Sequence, residues 1–221
     1  MMIKLAEDIK KLVPSFKLGT ILYHDIVIGE SPQMLKGRFQ LFLESLKMDA
    51  EQLTIADHTS VQEWRTTFKA LSMDPSRYRP SAEALLRRVY GGKEIGLVNS
   101  AVDVNNFFSL QYGVPIGIYN AGVLAGDIEV RMGNPEDQYE GLNGRLMNME
   151  GKLLSSDEAG PFGSPIVDSK RTMTNEKVTS ALQIVYLCPS MSTEEAAKLL
   201  AAIEKMFIQI HGGSAESFIV Q

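Results

Sequence analysis

Apolar residues along this chain follow two different periods, and the change falls near Gly113. Before it, they recur mostly at helical spacing. "SPQMLKGRFQLFLESLKM" opens with Ser31 and Pro32, cap and first-turn residues, and continues as a helix. "SVQEWRTTFKALSM" carries a capping box, Ser60 and Glu63, ahead of Trp64, Phe68 and Leu71 on one face. "RPSAEALLRRVYGG" starts a helix near Ser81 and stops at Gly91-Gly92. One early stretch is different: "KLGTILYHDIVIG", Lys17 to Gly29, is β-branched and bounded by glycines, which predicts a strand. After Gly113 come short apolar segments separated by Gly, Asn, Asp and Pro. "VPIGIYN", "GDIEVRMG", "GRLMNMEGKLLSS", "GSPIVDS" and "TSALQIVYLC" predict strands joined by tight turns. "MSTEEAAKLLAAIEKMFIQIHGG" is the clearest helix, capped by Ser192 or Thr193 and stopped by Gly212-Gly213; "ESFIVQ" predicts a last strand. The expected class is α+β, helices packed on a mixed, mostly antiparallel sheet. No linker or repeat divides the chain, so one domain over 1–221 is expected, with a strand-and-helix portion at about 1–92.

Composition narrows the function classes. With 44% hydrophobic and 22% charged residues, the chain can bury a core without staples. The single cysteine, Cys188, sits in an apolar run and reads as a small buried hydrophobe. No signal-peptide pattern is present, and no apolar run approaches the roughly 20 residues of a membrane span. A cytoplasmic location with no membrane partner is expected.

A net charge of −5 argues against a protein that coats nucleic acid generally, and DNA is not an expected partner. Charge is unevenly spread. Arg65, Lys69, Arg77, Arg79, Arg87, Arg88 and Lys93 face only Asp74 and Glu83 in their stretch. The segment from Glu94 to Asp168 is strongly acidic. Either this is ordinary solvated surface, or Arg77, Arg79, Arg87 and Arg88 form a basic face for a polyanion.

The segment Leu97–Asn120 carries the densest candidate chemistry. Asn99, Asp103, Asn105 and Asn106 stand at the start of a predicted helix that ends at Gly113. Asn99 and Asp103 suit a cap and the positive end of the helix. Asn106, beside two phenylalanines, needs a partner if buried. Gly113, Pro115 and Gly117 follow, in a backbone suited to close approach.

Of the three histidines, His24, His58 and His211, none stands at metal spacing, and no metal or cofactor is expected. No nucleophile elbow, phosphate loop or dinucleotide fingerprint occurs. In "PIVDSKRTMT", Asp168 could activate a water if burial raises its pKa, with Ser169 and Thr172 holding a hydroxyl or carboxylate. The alternative is a strand-end turn in which Asp168 binds backbone amides.

"VDVNNFFSLQYGVPIGIYN" resembles a segment of the phenylalanyl-tRNA synthetase beta subunit, within the tRNA-binding and editing domain formed by its B-three and B-four modules. That segment has a hydrophobic residue, Asp, two variable residues, Asn and an aromatic, then Gly-x-Pro-x-His-Ala-Phe-Asp. Asp103, Asn106, Phe107, Leu110, Gly113, Pro115 and Tyr119 stand at matching places. "YRPSAEALLRRVYGGKEIGLVN" and "VDSKRTMTNEKVTSALQIVYL" resemble free-standing members of the same family. In the synthetase this domain hydrolyses tyrosine wrongly esterified to the tRNA. The family's His falls on Gly117 and its closing Asp on Asn120.

The resemblance implies a protein that binds tRNA or aminoacyl-tRNA, with Asn99, Asp103, Asn106, Gly117, Asn120, Ser169 and Thr172 around the ligand. Two activities stay open. One is hydrolysis of a mischarged aminoacyl ester, with Asp168 orienting water and Gly117 offering backbone N–H groups. The other is a non-catalytic module for an amino acid, a tRNA end or another small ligand. A purely structural or partner-binding role is the third class, disfavoured by the polar set on an apolar helix.

Overall fold

The computed structural model describes all residues, 1–221. In chain order the elements are β1 (Ile3–Leu5), α1 (Glu7–Leu12), β2 (Leu18–His24), α2 (Gln33–Asp49), α3 (Thr59–Ala70), α4 (Ser81–Tyr90), α5 (Ser100–Tyr112) and β3 (Ile116–Asn120). Then follow β4 (Ile128–Met132), β5 (Gln138–Glu140), β6 (Leu146–Asn148), β7 (Leu153–Asp157), β8 (Gly160–Gly163), β9 (Ala181–Tyr186), α6 (Thr193–His211) and β10 (Ser214–Val220). The fold is α+β with antiparallel pairing dominant. One four-stranded sheet runs β1-β4-β7-β8, with only β1–β4 parallel; the other runs β10-β2-β9-β3, all antiparallel; β5 and β6 form a separate hairpin.

The second sheet is the middle layer. Every residue of β9 is buried, as expected of a strand covered on both faces. On one face, Tyr23 of β2 stacks on Phe207 of α6 with ring centroids 3.9 Å apart. On the other, Tyr119 of β3 meets Phe162 of β8 edge-on, and the Tyr186 hydroxyl lies 2.9 Å from Ser155 Oγ of β7. Both sheets and the helices share one cluster of 46 buried hydrophobic residues.

The helix borders follow local chemistry, with some departures. Ser192 and Glu195 form a reciprocal capping box on α6. Asn99 Oδ1 accepts the Val102 amide at the start of α5, and Gly113 ends that helix in the left-handed conformation at φ 64°. The expected Ser60–Glu63 box does not form. Glu63 instead accepts the amide and hydroxyl of Ser190, 127 residues away. The expected strand at 17–29 stops at His24, because Asp25 takes a positive φ of 54°. "GSPIVDS" is not a strand. Ser164 Oγ accepts the amides of Ile166 and Val167 and fixes the segment as a turn.

The start of α5 is tied to distant parts of the chain. Ser100 Oγ accepts the Gly29 amide at 3.2 Å and lies 2.8 Å from His211 Nε2. His211 Nδ1 lies 2.8 Å from the Phe207 carbonyl, and burial lowers its pKa. The neutral ring therefore donates from Nδ1 and accepts the Ser100 hydroxyl at Nε2. Cys188 is buried, and burial pushes its thiol up to about 12, so it is an unreactive packing residue.

Candidate functional site

A cavity of about 460 Å³ opens at the free edge of β3, between α5 and the segment 164–174. Its walls are apolar: Leu85 of α4, Val102 of α5, and Ile116 and Ile118 of β3. Val98, Leu142 and Met173 line it too, and each is 48% exposed or more, so they form an apolar mouth. Polar groups gather inside: Asn105, Asn106, Ser109, Ser164, Asp168 and Thr174. A smaller cavity of about 240 Å³ lies beside Trp64 between α3, α4 and α5; its one acid, Glu83, is already held by Arg65 and Arg87. The larger cavity is therefore the candidate site.

Asp168 is delivered by the turn after β8. Ser164 Oγ and the Val167 carbonyl both contact the Tyr139 hydroxyl, and the Asp168 carbonyl accepts the Leu142 amide. The turn is thus clamped to the β5–β6 hairpin. Asp168 Oδ1 accepts the Tyr119 hydroxyl at 2.7 Å. A Cβ on Gly117 or Gly163 would overlap that hydroxyl, so glycine at both places makes room for the phenol to reach Asp168. Gly117, where the resembling segment has His, is thereby filled by Tyr119 of the same strand. Burial pushes the Asp168 carboxyl up to about 7, although the Tyr119 hydroxyl and Ser164 amide favour its ionised form. Burial and the neighbouring Asp168 hold Tyr119 well above the usual phenol range, so it remains a donor.

Asn105 and Asn106 differ in their freedom. Asn105 is buried, and its Oδ1 accepts Gln183 Nε2 at 2.5 Å; Gln183 Oε1 in turn accepts the Tyr23 hydroxyl at 2.8 Å. This chain fixes the amide so that Nδ2, which has no protein acceptor, is left to the cavity. Asn106 is half-buried, lines the cavity and makes no side-chain hydrogen bond within the protein. Thr174 Oγ1 is buried without a partner on the same lining.

Other sequence-expected residues fall outside the lining. Asp103 is fully enclosed, and its carboxylate accepts the Ser31 hydroxyl at 2.5 Å and the Val98 amide at 3.0 Å. Sharing a helix face with Asn106 did not bring it to the cavity, because its partners are on the β2–α2 and α4–α5 loops. Asn99 caps α5 and reaches the Thr174 carbonyl at 3.4 Å. Ser169 caps a short 3₁₀ turn, Thr172 Oγ1 donates to the Phe162 carbonyl, and Asn120 accepts the Gly122 amide. Gly117 does not offer its N–H. Ladder bonds at the Pro115 carbonyl and Ala121 amide set the alternation, so Gly117 turns inward to β9 while Ile116 and Ile118 turn their amides to the free edge. Sequence reasoning did not single out Ser109 and Ser164, and it noted Asn105 and Thr174 without placing either at the ligand. For Asn105 a signal existed: a polar residue amid an apolar helix, matched by Gln183 amid an apolar strand.

The four arginines are exposed. Arg87 pairs with the buried Glu83, Arg88 donates to the Glu94 carbonyl, and Arg77 stacks over Tyr78. No cluster of three or more His, Cys, Asp or Glu side chains could hold a metal ion. No helix is long and apolar enough to cross a membrane.

Comparison with known proteins places the chain in a family. Residues 63–207 match the model of the B3/4 domain. The Bacillus subtilis (strain 168) protein YhzB is 34% identical over 214 residues, 97% of each chain. The phenylalanine–tRNA ligase beta subunit of Bartonella quintana (strain Toulouse) is 26% identical over 129 residues, which are 57% of this chain and 16% of that subunit. An N-terminal fragment of the Pyrococcus horikoshii phenylalanyl-tRNA synthetase beta subunit superposes with a TM-score of 0.48 at 12% identity, covering 100% of this chain and 54% of that one. The chain belongs to the B3/4 domain family, and it is related to the beta subunit of phenylalanyl-tRNA synthetase while spanning about a sixth of the ligase subunit's length.

Proposed function

We propose that this protein binds the aminoacyl end of a tRNA, with the aminoacyl group in the β3-edge cavity. The observation that carries this reading is the cavity itself: apolar walls ending on Asn105, Asn106 and Asp168, with the edge amides of Ile116 and Ile118 unpaired. Such a site buries an apolar side chain and offers donors to an ester carbonyl. The basic helix supports the same reading. Ser81 and Leu85, in the first half of α4, line the cavity, and Arg87 and Arg88 follow on the same helix. Residues six or seven apart on a helix are separated by roughly 10 Å, within the reach of a tRNA acceptor stem seated at the mouth.

A second reading, hydrolysis of the ester, is favoured by Asp168. With its pKa at about 7, it is half ionised near neutrality. Its carboxylate would take a proton from a water attacking the ester carbonyl. The edge amides and Asn105 Nδ2 would hold the resulting oxyanion. The C–O bond to the ribose would then break, and the ribose oxygen would leave with the proton from Asp168.

The test is a panel of correctly charged and mischarged tRNAs incubated with the purified protein, following binding and loss of the ester. Loss of ester for one class of mischarged tRNA establishes the hydrolase. Binding with every ester intact leaves the binding module. No binding of any member removes the tRNA reading. Neutralising Arg77, Arg79, Arg87 and Arg88 to Gln is expected to weaken tRNA binding and flatten its salt dependence by about one unit of slope for each phosphate no longer neutralised. Arg87 should contribute least, being held by Glu83. An unchanged slope identifies the cluster as ordinary surface.

A further inference from the structure

The cavity holds one charged side chain and nothing to balance it. Among its 15 lining residues, Asp168 is the only Asp, Glu, Lys, Arg or His. The two bases that follow it in sequence are held away from the cavity, Lys170 by Glu140 and Arg171 by the buried Asp157. The Tyr119 hydroxyl holds one Asp168 oxygen at 2.7 Å, and no other side chain donates to the carboxylate. Asp168 is half-buried, and a carboxylate facing a cavity without a cation is best matched by a ligand that brings its own positive charge.

We propose that the cavity recognises an α-amino ester or amide, a primary ammonium beside an uncharged carbonyl, and that Asp168 binds the ammonium. This rests on reading the cavity as an aminoacyl site. It assigns Asp168 to the amine and not to a water, so it stands with binding and against Asp168 as the base.

Rejection follows from the same charge pattern. A free amino acid carries a carboxylate next to its ammonium. Inside this cavity that carboxylate meets no base and lies close to Asp168, which disfavours it on both counts. An ester or amide carries no such charge. Its carbonyl oxygen meets the neutral donors Asn105 Nδ2 and the Ile116 and Ile118 amides, and its side chain meets Leu85 and Val102. The site thus distinguishes an aminoacyl group from the free amino acid that its cleavage would yield.

Calorimetric titration of the full chain tests this with six probes: L-leucinamide, N-acetyl-L-leucinamide and L-leucine, and the same three derivatives of phenylalanine. At least one free-amine amide is expected to bind tenfold or more tightly than both its acetylated and its free-acid counterparts. Asp168→Asn is expected to abolish that preference while leaving the protein folded. Equal affinity for the amide and its N-acetyl derivative overturns the proposal. So does equal affinity for the free acid, or no binding of either amide at millimolar concentration. The tRNA assay decides the other reading separately. Amides bound by a protein with no affinity for any aminoacyl-tRNA would remove the tRNA reading alone. Aminoacyl-tRNA bound equally well after acetylation of its amino group would remove this proposal alone.

Discussion

Asp168→Asn is expected to make the protein more stable at pH 8 and no more stable at pH 4. The carboxyl titrates at about 7 in the fold, against about 3.9 in an unfolded chain. Below pH 4 both states are protonated and the group contributes no difference. Between pH 4 and 7 the unfolded chain releases its proton while the folded chain keeps it, so stability falls as pH rises. Above pH 7 the full penalty is present. Three units correspond to about 4 kcal/mol, and partial solvent access to the cavity reduces this to about 2–3 kcal/mol. Asparagine carries no such penalty, and its amide oxygen can still accept the Tyr119 hydroxyl. A rise of about 5–10 °C in Tm at pH 8, vanishing at pH 4, is the expected result for a chain of this size. A pH-independent shift would mean that Asp168 is ionised freely in the fold. A destabilising acid kept at the end of a cavity is a feature of sites that bind something.

Asp103→Ala is expected to have the opposite character. Its carboxylate satisfies the buried Ser31 hydroxyl and the Val98 amide, and its removal strands both donors. Two donors left without their acceptor correspond to a loss of about 2–4 kcal/mol. Affinity for leucinamide or phenylalaninamide in the folded fraction should survive, because Asp103 does not line the cavity. Asn106→Ala provides the contrast. Its side chain has no protein partner to strand, so stability should change by less than about 0.5 kcal/mol. Amide affinity should fall roughly tenfold, about 1.4 kcal/mol. Thermal melts of the two variants beside amide titrations separate the roles. An Asp103→Ala protein of undiminished Tm, or an Asn106→Ala protein that binds normally but melts several degrees lower, would reverse the assignment.

How far the sequence discloses this arrangement depends on whether a residue's partner is near in the chain. The long helices and β9 are legible because capping residues and apolar period act locally: Ser192 with Glu195, Asn99 with Val102, Gly113 as a left-handed stop. Ser60 with Glu63 satisfies the same local rule and fails, since Ser190 from across the fold takes the Glu63 carboxylate. Short elements such as β1, α1 and β8 escape notice because three to six residues hold too little pattern. Within the site, Asp168 and Asn106 stand out as polar residues in apolar company. Asp103 stands out equally but has a different task, and only the approach of Ser31, 72 residues away, distinguishes it. Asn105 is the reverse case. Its importance rests on Gln183 and Tyr23, and no window of sequence contains all three.

The ties at the start of α5 bear on where this molecule could be cut. Ser31, Gly29 and His211 hold Asp103 and Ser100, and all three lie outside the 63–207 stretch that matches the family. β2, which lies outside it too, fills the place between β9 and β10 in the middle sheet. Excising the family-matched stretch would therefore open β9 along one side and release the first turn of the helix that carries Asn105 and Asn106. For expression or grafting, the shortest piece that preserves the cavity must reach back to β2 and forward past the last turn of α6. The stretch that the B3/4 model matches is smaller than the body that holds the cavity together.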